Sequence, residues 1–450
     1  MELKNNRHHH SYQYLFPFSY YLIYHNFSAW YRFLKKSQSW NENQIKNYQT
    51  KRMQSLISHA YHHVPYYHSL FKSKQIKPKD ITSLADLKKI PVLTKDLIRK
   101  NKSLLKATNY PQNAFYKRPS GGITGKPLLF FVEKAQWLGI HFAFCKHFMD
   151  QQGYRWFDKV VSFSGIPIPV KHHMLYRTVE LSSFHTTSKD FDRYHQLINR
   201  FKPRFINTFP SALLFYTYSM INKKKDLYRD IEAIFCHGER LHPWERKFLT
   251  ETFECDVFDQ YGHREQCVYA TTHKNCHHYH VYPEYGIVEL LDKHQKPITK
   301  EGNTGEIIAT SLTNNVFPFI RYSTEDLAEI TYDPCPCGNN TLLLKEIHGR
   351  KTEVIIGENH EIVPITGLYQ MFSDHFDCIK EFQIIQEHEG EIIIHYVPTE
   401  KTNEKYLQQL HQQMKKQYEN ISSFDFQSVS SIQRTTFGKY RYFIQKLRVN

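Results

Sequence analysis

The sequence lacks any uninterrupted apolar run of the roughly 20 residues that a bilayer crossing takes. Phe16 to Trp30 is rich in aromatic side chains, but Pro17, His25 and Asn26 interrupt it, so the expectation there is a helix packed on the body of the protein. A leader pattern of charged, apolar and small-residue cleavage regions is also missing. The eight cysteines are spread over 450 residues without the dense spacing of a secreted disulfide framework. A cytoplasmic protein with reduced thiols is expected from these absences. There is no internal repeat, no low-complexity tract and no stripe of clustered lysine and arginine, so a nucleic-acid partner is not expected.

What is present is a moderate excess of positive charge, 59 Lys+Arg against 44 Asp+Glu, which suits a small anionic partner such as a nucleotide or coenzyme. One stretch concentrates the residue types that a polyphosphate requires: Arg118, Ser120, Gly121, Gly122, Thr124, Gly125 and Lys126, followed by Pro127. The glycines allow sharp turns and close approach of backbone N–H groups, Thr124 offers a hydroxyl, and Lys126 a charge for phosphate oxygens. The spacing is not that of a Walker A loop. Gly121-x-x-x-Gly125-Lys126 is one residue short, Pro127 stands where a hydroxyl residue would hold magnesium, and Leu128 to Val132 reads as a buried strand instead of a helix. The stretch therefore reads as a loop between strands, either a phosphate cradle or a plain glycine turn in a hairpin.

Along the chain, Asn41 to Leu70 has a helical pattern with Met53, Leu56, Ile57 and Ala60 on one face and Pro65 as a stop. Leu84 to Lys95 reads as a helix, a proline break and a second helix capped near Thr94. Short apolar runs at Val160–Phe163, Phe205–Thr208 and Ile234–Cys236 alternate with helical stretches such as Ser211–Asn222, which predicts an α/β arrangement. From Ile287 the pattern changes to turn-separated strands (287–291, 306–309, 327–331), expected to form a smaller β-rich subdomain. The last hundred residues mix strands at 353–356, 382–385 and 391–395 with a polar helix from Asn403 to Tyr418, enough for a separate α+β unit.

Three further segments carry chemistry. An apolar strand runs into Gly238-Glu239; a second runs into Tyr261-Gly262, with Glu265 three residues on; and Asp326 lies where the strand at Leu327 begins. Tyr261 could stack on a base, Glu265 could hold Mg2+, and Asp326 could accept ribose hydroxyls. Each alone is as consistent with a structural turn.

Taken in order, the Gly/Thr/Lys loop, Gly238-Glu239, Tyr261-Gly262-x-x-Glu265, Arg321-Tyr-x-x-x-Asp326, Gly349-Arg350 and Gly438-Lys439 resemble the adenylate-forming superfamily of acyl-coenzyme A synthetases and peptide-synthetase adenylation domains. Within it the chain is most similar to the phenylacetate-coenzyme A ligase branch and its capsular-polysaccharide members. That similarity extends to His59–Tyr67, Ile90-Pro-Val-Leu-Thr-Lys95 and the segment from His280 through Tyr285 to Glu289. The resemblance covers roughly residues 50 to 445.

It implies a large N-terminal domain over residues 1–349, of α/β subdomains with the small β-rich one, opened by a helical extension at 1–50. A small mobile α+β lid would follow at 350–450. It implies that ATP, Mg2+ and coenzyme A serve an AMP-forming ligase that turns a carboxylic acid into an acyl-adenylate and then a thioester. By position, Gly121, Gly122, Thr124, Gly125 and Lys126 would cradle the phosphates, Gly238, Glu239, Tyr261 and Gly262 would line the adenine, Asp326 would bind the ribose, and Arg350 would lie at the hinge. Glu265 would bind Mg2+, and Lys439 would be the lid lysine that reaches the reacting carboxylate and α-phosphate, with Thr124 and Glu265 assisting. Transfer of the acyl group to an amine or sugar precursor, or non-catalytic nucleotide or nucleic-acid binding, are the alternatives. The sequence departs from the family at Gly121 and Ile123, where hydroxyl residues are usual, at Glu325, where Gly precedes the ribose Asp, and at Thr352, where the hinge has Asp.

Cys335-Pro-Cys337 and Cys276-x-x-x-His280 supply three sulfurs and one imidazole, a set able to hold structural zinc tetrahedrally. The residues alone leave free buried cysteines as the other reading, and His273, His277, His278 and Cys267 compete as fourth ligand. The resemblance, whose branch includes a similar site, implies zinc.

Overall fold

In the computed structural model the described residues are 25–120, 128–134, 137–173, 177–333, 335–338, 340–350, 355–360, 362–363, 365, 368, 371–372, 378–435 and 438–447. The glycine loop at 121–127, the hinge position Thr352 and the first 24 residues lie outside them, as does the side chain of Arg350. The chain divides into two compact units: Asp158–Val257 with Met1–Tyr12 and Arg350–Asn450, and Gln13–Phe157 with Phe258–Gly349. Each is thus discontinuous in sequence.

The second of these units begins with helices. His25–Ser37 buries Phe27 completely and sets Trp30 5.7 Å from the Phe144 ring of helix Trp137–Gln151, the packing expected for the end of the aromatic stretch. Helix Glu42–His63 opens on a reciprocal capping box, Gln44 N–H to Asn41 and Asn41 N–H to the Gln44 side chain, both 3.0 Å, and buries Met53, Leu56, Ile57 and Ala60. The pattern through Leu70 is two helices, because Val64 is held extended before Pro65, and Pro65 then fits the first turn of helix Pro65–Ser73. The stretch Leu84–Lys89 is a 3-10 helix, while Thr94 caps helix Lys95–Asn101 by accepting from Leu97 N–H at 3.3 Å.

Strands Phe115–Pro119 and Leu129–Glu133 pair antiparallel, with Pro119 opposite Leu129. The Ser120–Leu128 bonds, 2.7 and 3.0 Å, close the base of the glycine loop, so the segment joins two hairpin strands. Strands Gly286–Leu291, Thr304–Ser311, Tyr322–Thr331, Leu343–Arg350, Cys276–Val281 and Tyr269–His273 follow one another in space, and residues 260–262 extend the series.

In the other unit, Thr178–Ser182, Val160–Ser164, Phe205–Thr208 and Ala233–His237 form a parallel sheet edged by antiparallel Val170–His173. All four parallel strands are buried along their whole length, as continuous apolar runs in such a sheet should be. Helices Ser188–Phe201 and Pro210–Asn222 join three of them in turn, and helix Pro243–Phe253 follows the last. Residues after 378 form a four-stranded sheet, in the order Ser423–Ser428, Glu391–Pro398, Ile379–Gln386, Phe443–Gln445, with helix Glu404–Gln417 capped by Asn403. One apolar cluster spans both parts, from Phe163, Leu213 and Phe215 to Phe382, Tyr440 and Tyr442. Among the described residues no helix is long and apolar enough to cross a membrane.

Candidate functional site

The residues expected around a nucleotide fall into both units, and each set is built locally. In the unit containing 258–349, strand Asp256–Gly262 ends by presenting Tyr261, whose hydroxyl donates to Asp326 Oδ2 at 2.6 Å. Asp326 lies inside strand Tyr322–Thr331 and not at its start. It follows a kink at Glu325, which adopts φ +65°, the left-handed region where glycine is at ease and another residue loses about 1–2 kcal/mol. That geometry accounts for the glycine usual at this place. Here Lys95 holds the Glu325 carboxylate at 2.6 Å and the Thr324 carbonyl at 3.2 Å, fixing the kink by side-chain contact.

Glu265 is buried, accepts from the Tyr322 hydroxyl at 3.0 Å through Oε1, and has His263 Nδ1 3.5 Å from Oε2. Burial pushes its carboxyl up, but the neighbouring His263 outweighs that and brings it down to about 2. Tyr261 feels the charge of both Asp326 and Glu265, which puts the three side chains in one neighbourhood. A buried carboxylate held ionised, with lone pairs left beyond its two contacts, fits a cation ligand. His263, Tyr322 and Lys95 were not assigned from sequence; Lys95 stood in a quoted motif, but nothing in one chain pairs it with Glu325.

In the unit containing 158–257 and 350–450, Gly438 and Lys439 lie at the carboxyl ends of the parallel strands. Ser183 Oγ donates to the Gly438 carbonyl at 2.8 Å. Gly438 has φ +76°, and a Cβ there would lie 2.6 Å from Gly165 Cα and 2.5 Å from Ser183 Oγ, so only glycine fits. The Lys439 amide donates to Thr435 Oγ1 at 3.1 Å, and its side chain runs past Gly238, where a Cβ would meet Lys439 Cε at 3.4 Å. Glu239 accepts from the backbone N–H of Tyr440 and, at 3.2 Å, from that of Ser211. Burial pushes the Glu239 carboxyl above its usual range. Gly238, Glu239 and Lys439, 200 residues apart in sequence, are thereby neighbours.

Cys276, His280 and Cys335 are buried with their ligand atoms all within 4.8 Å of one another, and Cys337 Sγ is 3.8 Å from His280 Nε2. Burial lowers His280 to about 3, leaving a neutral imidazole able to coordinate. The chemistry of this donor set fits a tetrahedral zinc ion. His273 packs its ring 4.5 Å from that of His280, but its nitrogens face Gln152 and Thr271, and Cys267 faces the Glu265 carbonyl.

Residues 355–446 match the family described as the CapK C-terminal domain. The chain is 24% identical over 417 residues to Protein CapK of Staphylococcus aureus, covering 90% of each chain. It is 26% identical over 345 residues to phenylacetate-coenzyme A ligase of Aromatoleum evansii, covering 72% of this chain and 74% of that one. Among solved structures, 2-hydroxyisobutyryl-CoA ligase in the postadenylation state, in complex with 2-HIB-AMP, superposes with a TM-score of 0.73 at 18% identity over 92% of both chains. The chain is a homologue of CapK and of the phenylacetate-coenzyme A ligases, with a mixed α/β fold similar to that of solved acyl-CoA ligases and a C-terminal stretch matching the CapK C-terminal domain.

Proposed function

We propose that the protein is an AMP-forming carboxylate ligase: it joins a carboxylic acid to the α-phosphate of ATP, releases pyrophosphate, and passes the acyl group to coenzyme A. The observation that carries this reading is the position of Lys439 beside Gly238 at the carboxyl ends of the parallel strands, where α/β sheets bind ligands. Attack of a carboxylate on a phosphate brings two anions together. A lysine held at that place offsets the repulsion as charge builds on the transferring oxygens. Asp326 is assigned to the ribose hydroxyls, and Tyr261, Gly262, Gly238 and Glu239 to the adenine. Gly121, Gly122, Thr124, Gly125 and Lys126 cradle the phosphates, and Arg350 marks where the 350–450 lid begins. Mg2+, held by Glu265, would neutralise polyphosphate charge when bound.

The zinc set Cys276, His280, Cys335 and Cys337 is structural, pinning the turn 335–338 to strand Cys276–Val281. One zinc per chain is expected on purification. Cys335→Ser should lose it and melt several degrees lower; metal-free wild-type protein with an unchanged melting point in the variant would remove zinc from the account.

The experiment on function is pyrophosphate release from ATP across a panel of carboxylic acids, with and without coenzyme A. Release with some acid, and a thioester only when coenzyme A is added, supports the ligase; silence with every acid contradicts it. A second reading, which rests on the resemblance to capsular-polysaccharide members of the branch, is transfer to an amine or sugar precursor of a surface polysaccharide. Release without any thioester would favour it.

A further inference from the structure

The segment that follows Lys439 is fastened more firmly than a lysine's reach alone requires. Tyr440 gives its backbone N–H to Glu239 and its hydroxyl to the Phe382 carbonyl. Its ring lies 4.8 Å from that of Phe215 and 4.3 Å from the Arg434 guanidinium, which pairs in turn with Glu381 at 3.2 Å. Two residues on, the Tyr442 hydroxyl donates to Glu245 Oε1 at 2.7 Å. Glu245 is wholly buried, and its Oε2 accepts from His242 N–H at 2.9 Å, closing the first turn of helix Pro243–Phe253. Burial pushes its carboxyl up to about 8. A buried acid that is not itself assigned to the nucleotide, bonded to a tyrosine 197 positions later, is an expensive way to cap one helix.

We infer that Glu245 and Tyr442 are positioning residues: their hydrogen bond clamps the chain just after Lys439 to the start of helix Pro243–Phe253 and so sets the lysine for acyl-adenylate formation. This rests on the ligase reading of Lys439. The clamp acts at one flank of the lysine while Thr435 and Ser183 hold the other. The phenol ring packs against Phe382 and His242, so the Tyr442→Phe variant keeps the apolar contacts and removes only the bond. Loosening a catalytic group by a fraction of an ångström is costly, because up to a hundredfold in rate depends on about 1 Å of placement.

The test uses the full chain, the panel acid giving the fastest pyrophosphate release, and amide hydrogen exchange over residues 438–447. Tyr442→Phe should speed exchange there about fivefold and lower kcat for pyrophosphate release about tenfold, with KM for ATP within twofold of wild type. The double variant Tyr442→Phe, Glu245→Leu leaves no unpaired carboxyl and should fold; it also gives up the His242 N–H bond, which lies outside the clamp, so it should be no slower than Tyr442→Phe, since both lose the same clamp bond. Unchanged exchange, or kcat within twofold of wild type in both variants, overturns the clamp. Lys439→Ala runs in parallel: if it leaves pyrophosphate release intact the ligase reading itself fails, whereas loss in Lys439→Ala with full activity in Tyr442→Phe sinks the clamp alone.

Discussion

The two units bury carboxyl groups to opposite ends. In the unit holding Tyr261 and Asp326, Glu265 sits beside His263 and stays ionised, brought down to about 2. In the unit holding Lys439, Glu239 and Glu245 face backbone N–H groups and tyrosine hydroxyls, and burial pushes them up, Glu245 to about 8. Glu265 is therefore held ionised beside His263, whereas burial against a backbone N–H and a tyrosine hydroxyl raises Glu245. What decides is the neighbour and not the depth, for Glu265 and Glu245 are both essentially without solvent contact.

The comparison breaks most visibly through pH. Glu245 is raised above its free value, so its contribution to stability is complete below about 4.5 and is lost as pH rises through about 8. A shift of that size corresponds to roughly 4–5 kcal/mol at most. Urea unfolding of the wild type should weaken as pH rises from about 4.5 to about 8 and level off above that, and Glu245→Gln should flatten the profile; parallel profiles would show the acid is not neutral in the fold. The smaller effect is catalytic. Glu265→Gln removes the anion and keeps the shape, and should cost about a hundredfold in pyrophosphate release while raising the Mg2+ concentration needed for half-maximal rate. A rate and Mg2+ dependence equal to wild type would take Glu265 out of the cation site.

Local rules made much of this legible. Buried strand runs at 160–163, 205–208 and 234–236, the Thr94 cap and the helix from Asn403 follow from pattern and capping chemistry alone. Val64–Pro65 splitting one apolar pattern into two helices is also a local effect, though the periodicity masks it. Hidden from one sequence were the partners. Nothing near Glu325 announces Lys95, nothing near Glu245 announces Tyr442, and the joining of 158–257 with 350–450 in a single apolar cluster is a matter of long-range packing. Residue types that can do chemistry are visible in sequence, whereas their protonation depends on neighbours that only the fold supplies.

The most direct measurement is acid-dependent pyrophosphate release by wild type and Lys439→Ala, with ATP binding followed in the same samples. The account predicts release by the wild type with at least one carboxylic acid, a fall of about a hundredfold or more in the variant, and ATP affinity within a few-fold of wild type. Equal release by both proteins would contradict it.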